Sequence, residues 1–187
     1  MPNSTYIAIL RGINVSGHNM IKMPALAALF EKEGFQGCKT YIQSGNVLFN
    51  LEETDEQKLS AQIKAAITSE FGFDVPVIVL SLKAMQSVLE HSPFLKSQEE
   101  DITNLHATFL YQPPAKELLE KIDAQKYLPD EFILADKTIY LHCPQGYGRT
   151  KLNNNFFESK LKVTATTRNW KTVAELVRLG NELASEG

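Results

Sequence analysis

The sequence is poor in cysteine and has no long apolar run, and both absences exclude classes of protein. Its two cysteines, Cys38 and Cys143, are too few for a disulfide framework and too far apart for a local metal motif. No stretch of 18 apolar residues is present, and the apolar segment 7–10 ends at Arg11 without a basic leader or a cleavage site. We therefore expect a cytoplasmic protein without a membrane span, a bound metal or a cofactor.

The overall composition is that of an ordinary globular chain. Of 187 residues, 43% are hydrophobic and 22% are charged, and the ten glycines and eight prolines are near average usage, which excludes fibrous and disordered classes. A chain of this length forms one domain or two small ones and buries on the order of 70% of its unfolded surface.

Acidic residues are missing from two long segments, although the net charge is -3. Residues 1–30 contain no Asp or Glu, and between Lys137 and Ala174 the only acid is Glu158. The acids are concentrated in residues 51–139, which carry sixteen Asp or Glu against eight Lys or Arg. Cationic segments on an acidic protein concentrate anions locally, so the asymmetry favours an anionic partner.

The order of apolar patterns predicts a first repeat of alternating strands and helices. A buried strand at 6–10 leads through a loop to a helix at 24–33, and a hairpin at 40–49 turns at Ser44-Gly45-Asn46. A longer helix starts at Thr54, which resembles a capping box with Gln57, and ends at Gly72. A strand at 75–80 and a helix at 82–90 follow, and the acidic stretch 98–101 resembles a linker.

The pattern then starts again. Strands are predicted at 105–111, 132–134, 138–141 and 163–166, with helices opening at Pro114, at Asn154 and at Trp170. Each half therefore has the order β-α-β-β-α-β of the ferredoxin-like unit. We predict an α+β protein of two ferredoxin-like repeats, residues 1–97 and 98–187, with antiparallel or mixed sheets and helices packed on them. One continuous mixed-sheet domain is the alternative.

Two glycine-containing basic loops without acids are the best candidates for a binding site. Residues 11–22 join the first strand to the first helix, and residues 144–155 follow the strand that ends near Cys143. Glycines let backbone N–H groups approach a ligand, and a helix N-terminus favours phosphate or carboxylate. The first loop lacks the ending of a Walker loop. The alternative for it is that its glycines only shape a tight connection, and the alternative for the second loop is a flexible surface loop. The candidate ligand-binding residues, with those of the hairpin turn and an Arg–Trp pair that could stack on a planar base, are Arg11, Asn14, His18, Asn19, Lys22, Ser44, Asn46, Tyr147, Arg149, Lys151, Asn153, Arg168 and Trp170.

Four motifs resemble a known bacterial family. They are YIAILRGINVSGHNMIK at 6–22, TYIQSGNVLF at 40–49, GYGRTKLNNN at 146–155 and TTRNWKTV at 166–173. In order and over essentially the whole chain they are similar to the family named domain of unknown function 1697. The resemblance implies a compact α+β cytoplasmic protein, and it implies no activity, ligand or catalytic residue.

The residues favour a binding protein over a recognisable enzyme. No nucleophile series or metal-ligand spacing is readable, and His18 is the best acid-base candidate because it alone of the four histidines lies in a candidate loop. We expect binding of a phosphorylated or nucleotide-like small molecule. Binding of single-stranded nucleic acid, with Tyr41, Phe49, Tyr147 and Trp170 as stacking residues, is one alternative, although the RNA-recognition octapeptide is absent. A structural or interaction protein is the other, and no oligomeric state is predicted.

Overall fold

The protein divides into two compact units. A computed structural model describes residues 3–95 and 101–187. The units are Met1–Ser87 with Glu175–Gly187, and Val88–Ala174. The predicted boundary between residues 97 and 98, and residues 98–100 of the predicted linker, lie outside the described residues.

The first unit is built on a four-stranded antiparallel sheet. In chain order its elements are β1 (Asn3–Leu10), α1 (Met23–Lys32), β2 (Gln36–Tyr41), β3 (Asn46–Glu52), α2 (Glu56–Phe71) and β4 (Val77–Ser81), and α3 (Leu82–Glu90) follows. The strands lie in the order β2-β3-β1-β4, with Ile7 opposite Leu48 of β3 and Leu80 of β4.

The second unit repeats this order. Its elements are β5 (Leu105–Leu110), α4 (Lys116–Glu120), a 3-10 turn (Ala124–Tyr127), β6 (Glu131–Ala135), β7 (Thr138–His142), a second 3-10 turn (Tyr147–Arg149), α5 (Asn154–Leu161) and β8 (Ala165–Asn169). Its strands lie in the order β6-β7-β5-β8, all antiparallel. The last helix, α6 (Trp170–Glu186), starts directly after β8, and its residues from Glu175 belong to the first unit.

The predicted fold class is confirmed, and the alternative prediction of one continuous mixed sheet is wrong. Both units have the order β-α-β-β-α-β, and in both the first strand lies between the third and the fourth. The described residues form two separate four-stranded antiparallel sheets rather than one. No helix in the described ranges is long and apolar enough to cross a membrane.

Each unit has its own apolar core, which fixes the sheet under its helices. In the first unit the rings of Phe30 and Phe35 pack on that of Phe49, with centroid distances of 5.6 and 4.5 Å. In the second unit Phe157 of α5 packs against Phe132 of β6 at 5.6 Å. Burial of such aromatic side chains contributes roughly 2 to 3 kcal/mol each, so the sheets are firm platforms for the loops at their ends.

Several element ends differ from the prediction, at the start of α2 and in the last strand among others. The N-cap of α2 is Asp55, whose carboxylate accepts from the backbone N–H of Lys58 at 2.9 Å. Thr54 lies one residue before the cap, where its backbone N–H donates to the hydroxyl of Tyr6 at 2.9 Å and its carbonyl accepts from that hydroxyl at 3.0 Å. The last strand is shifted toward the C-terminus, since β8 pairs with β5 as far as Asn169 opposite His106.

Candidate functional site

The side chain of Asn14 makes three hydrogen bonds that shape the loop of residues 11–22. Its Nδ2 donates to the backbone carbonyls of Ile21 and Gln43, both at 2.9 Å, and its Oδ1 accepts from the backbone N–H of Ile21 at 2.8 Å. Asn14 has a φ of +54°, a conformation that Asn adopts more readily than most residues. The amide therefore ties the loop to the hairpin turn between β2 and β3.

The tip of the same loop is a two-residue turn. The backbone N–H of His18 donates to the carbonyl of Val15 at 2.9 Å, and the two residues between them, Ser16 and Gly17, have φ values of +50° and +77°. Two successive positive φ values are typical of a tight type I′ turn. The turn leaves the side chain of His18 exposed at its end.

The hairpin turn packs directly under this loop. Asn46 is buried and its Nδ2 donates to the carbonyl of Tyr41 at 3.0 Å and to Ser44 Oγ at 3.1 Å. Gly45 has a φ of +88°, and a Cβ at this position would lie 2.7 Å from Ile13 Cδ1. Glycine is required here by both the backbone conformation and the close approach.

The remaining predicted ligand-binding residues of the first unit lie in the same loop, residues 11–22. Arg11 and Asn19 are half-buried, whereas His18 and Lys22 are exposed. The side chain of Asn19 donates to the carbonyl of Gly12 at 3.1 Å, so it also contributes to the shape of the loop. Binding of an anion by this loop stays a prediction.

The second predicted loop, residues 144–155, turns at Gly146. The φ of +90° and ψ of 145° at Gly146 belong to a region that is populated almost only by glycine. Its carbonyl accepts from the backbone N–H of Arg149 at 3.2 Å, which closes the 3-10 turn Tyr147–Arg149. At the end of the loop Asn153 Oδ1 accepts from the N–H of Phe156 at 3.0 Å and caps α5.

Two of the predicted ligand-binding residues, Arg149 and Lys151, line a cavity together with Lys126, a basic residue that no sequence pattern marks. The cavity has a volume of about 180 Å³. Its lining residues are Lys126, Tyr127, Leu128, Pro129, Asp130, Gln145, Arg149 and Lys151. Three of them are cations and one is a carboxylate, so the lining has a formal charge of +2. We call this the basic cavity.

Lys126 enters the basic cavity from a segment without any sequence signal for binding. It lies in the 3-10 turn Ala124–Tyr127, and its Nζ is 3.7 Å from a carboxylate oxygen of Asp123, with both side chains more than half exposed. The pair is therefore weak. The strands β6 and β7 separate Lys126 from Arg149 along the chain, so only the folded sheet brings them to one cavity.

Behind the same loop the ring of Tyr147 stacks on His106, with centroids 4.8 Å apart. His106 is buried on β5, and within the described residues its Nδ1 has no hydrogen-bond partner. Burial lowers the pKa of His106, so the imidazole is held neutral near neutral pH. The stack fixes the turn that carries Arg149 to a rigid strand.

The predicted Arg168–Trp170 pair is buried. Arg168 lies on β8, where its Nη1 donates to Thr166 Oγ1 at 3.2 Å and to the carbonyl of Thr167 at 2.9 Å, and burial lowers its pKa. Trp170 is 3% exposed, and its ring centroid is 6.2 Å from that of Tyr140. Neither side chain lines the basic cavity.

Two of the four aromatic residues considered for base stacking are buried as well. Phe49 is fully buried in the first core and Trp170 in the second unit, whereas Tyr41 and Tyr147 are half-buried. A stacking surface needs exposed ring faces.

In the described ranges, no group of three or more His, Cys, Asp or Glu side chains is placed to hold a metal ion.

Comparison with known proteins extends the view of the fold. A family model described as "Protein of unknown function (DUF1697)" matches residues 3–140. The motifs at 146–155 and 166–173 lie beyond the matched range. No curated protein matches the chain. Among solved structures, conserved bacterial protein SP0830 from Streptococcus pneumoniae is similar, with a TM-score of 0.72 over 96% of this chain and 99% of that chain. The two are 20% identical, so this likeness concerns the fold alone.

Proposed function

Because the chain belongs to the DUF1697 family, whose description assigns no activity, we propose a function from its own residues: it binds a small phosphorylated molecule in the basic cavity. The observation that carries the proposal is the convergence of Lys126, Arg149 and Lys151 on one cavity. The proposal concerns binding, and it includes no reaction.

The charge of the basic cavity favours an anion over a neutral ligand. Three cations face one carboxylate, that of Asp130, and the guanidinium of Arg149 offers the planar pair of donors that matches a phosphate group. Charge-assisted hydrogen bonds of this kind are about twice as strong as neutral ones. A phosphate dianion would therefore gain from each of the three cations.

The volume of the cavity limits the size of the ligand. Cavities that enclose drug-sized ligands have volumes of roughly 300 to 1,000 Å³. At about 180 Å³ the basic cavity has room for a phosphate group and a small substituent. The base of a nucleotide would extend out of it. A sugar phosphate or another small phosphorylated metabolite is accordingly the class we propose.

The loop of residues 11–22 is a second candidate for anion binding, through Arg11, His18 and Lys22. Its support is composition and a stable backbone, since Asn14, Ser44 and Asn46 hold the loop and the turn together through their side chains. We assign Asn14, Ser44, Asn46 and, in the second unit, Asn153 to positioning the backbone rather than to ligand contact. The same titration tests both loops.

Calorimetric titration with ribose 5-phosphate, with ribose as the neutral control, tests the proposal. We expect Arg149→Ala to weaken binding roughly tenfold, because it removes a charge-assisted hydrogen bond, and Lys151→Ala to weaken it less. Lys160→Ala is the matched control, since Lys160 is an exposed lysine of α5 that does not line the cavity. Arg11→Ala is titrated in parallel.

The outcomes separate the two loops. Loss of affinity in Arg149→Ala but not in Lys160→Ala or Arg11→Ala supports the basic cavity. Equal affinity of wild type and Arg149→Ala refutes it. A loss confined to Arg11→Ala moves the site to the first loop, and equal binding of ribose refutes recognition of phosphate. Urea unfolding of each variant checks that it retains the fold.

A further inference from the structure

The second unit contains another cavity, whose described lining residues carry a charge opposite to that of the basic cavity. Its volume is about 560 Å³, and its lining residues are Pro93, Phe94, Asp101, Leu105, Glu131, Ile133 and His142. These described residues include two carboxylates and neither lysine nor arginine. We call this the acidic cavity. It shares no lining residue with the basic cavity, so the two can be tested independently.

One part of the acidic cavity is apolar and aromatic. The ring of Phe94 lies 5.8 Å from that of His142, at an angle of 40°. Ile133 stands on β6, an edge strand of the second sheet, and is 44% exposed. An isoleucine exposed to this extent beside Leu105 and an aromatic ring offers a surface for an apolar group.

Two further lining residues of the acidic cavity, Asp101 and Glu131, are carboxylates. Glu131 Oε1 is 3.7 Å from His142 Nδ1, which is longer than an N–H···O hydrogen bond, so this contact does not satisfy the carboxylate. Asp101 Oδ1 accepts from the backbone N–H of Thr103 at 2.9 Å. Hydrogen bonds from Thr103 hold the pKa of Asp101 below its usual range, so this carboxylate is ionised at neutral pH.

We propose that the acidic cavity binds a small organic cation, an ammonium group attached to an apolar or aromatic body. The two carboxylates attract the ammonium group, and the face of Phe94 can add a cation–π contact. The apolar body lies against Ile133 and Leu105. The volume of about 560 Å³ is within the range of sites that enclose a small molecule.

Three probes of similar shape separate charge recognition from simple apolar contact. They are 2-phenylethylammonium, its neutral analogue 2-phenylethanol, and the anion 3-phenylpropionate. Each is titrated into the full chain labelled with ¹⁵N and followed by NMR. We expect the ammonium probe to bind more tightly than the alcohol, by up to about fivefold for each carboxylate that it contacts, because an exposed ion pair contributes up to about 1 kcal/mol. The largest shifts should lie at Phe94, Ile133 and His142.

Charge-neutralising variants locate the interaction. Glu131→Gln and Asp101→Asn keep the shape of each side chain and should each weaken the ammonium probe roughly fivefold while leaving the alcohol unchanged. Glu117→Gln is the control, since Glu117 is an exposed carboxylate of α4 outside the cavity.

Preference for the ammonium probe that both cavity variants reduce supports the proposal. Equal binding of all three probes, shifts outside the cavity, an equal effect of Glu117→Gln or the absence of binding overturns it. Two cavity variants are used so that a folding defect in one leaves the other interpretable.

Discussion

The positive φ of Gly146 predicts that an alanine at this position destabilises the loop that carries Arg149. An alanine at this position must either adopt a φ of +90° or move the turn. No atom lies within 4 Å of the added Cβ, so the penalty is conformational and not steric. Such backbone strain costs about 1 to 3 kcal/mol. Gly148, two residues later in the 3-10 turn, also has open space around its Cβ, and its φ lies outside the positive range. Gly148→Ala should therefore be neutral or stabilise the protein by up to about 1 kcal/mol.

Urea unfolding followed by circular dichroism, and calorimetric titration with ribose 5-phosphate, measure both consequences. We expect Gly146→Ala to unfold at lower urea than the wild type and to bind the ligand more weakly, because the 3-10 turn no longer holds Arg149 at the cavity. Gly148→Ala should unfold at the same or higher urea and bind normally. If the two substitutions have the same effect on the free energy of unfolding, or if Gly146→Ala is as stable as the wild type, the argument from backbone strain is wrong.

Three further predictions concern the hairpin turn between β2 and β3, the first loop and the buried histidine. Gly45→Ala combines a positive φ with overlap of the added Cβ on Ile13, so it should lower the free energy of unfolding by about 2 to 4 kcal/mol. Gly12→Ala, where the space around the added Cβ is open, should lower it by about 1 kcal/mol. Equal losses of the two variants in urea unfolding would contradict this. Asn14→Ala removes three hydrogen bonds and should lower it by about 2 kcal/mol, with an unchanged urea midpoint as the refuting result. Burial lowers the pKa of His106 below its unfolded value of about 6.5, so the unfolded chain binds the proton first. Wild type should accordingly lose stability relative to His106→Phe as the pH falls below 6.5. A difference in the free energy of unfolding that does not change with pH would contradict the assignment.

The regular elements could be predicted because their signals are local. The apolar stripe of α2, with Leu59, Ile63 and Ile67 on one face, ends at Gly72, which has the left-handed conformation expected of a helix C-cap. The repeated element order was sufficient to predict the two sheets. Local signals fail where a group bonds a partner that is distant in the sequence. At Thr54 the backbone N–H donates to the hydroxyl of Tyr6.

The candidate site could be predicted only in part, for the same reason. The glycines and cations of residues 144–155 mark the loop in the sequence, and Arg149 and Lys151 do line a cavity. Lys126 reaches that cavity through the packing of a 3-10 turn beside β6, and no local pattern marks it. The stack of Tyr147 on His106 likewise depends on the register of β5.

The likeness between the two glycine loops does not follow from the duplicated fold. Residues 11–22 follow the first strand of the first repeat, whereas residues 144–155 follow the third strand of the second repeat. Within one such unit the first and third strands are antiparallel neighbours, so loops that follow them lie at opposite ends of the sheet. The equivalent of residues 144–155 in the first repeat is the short connection from β3 to α2, which contains neither glycine nor a cation. The two loops therefore occupy positions that are not equivalent in the two repeats, and a ligand site in one does not imply a site in the other.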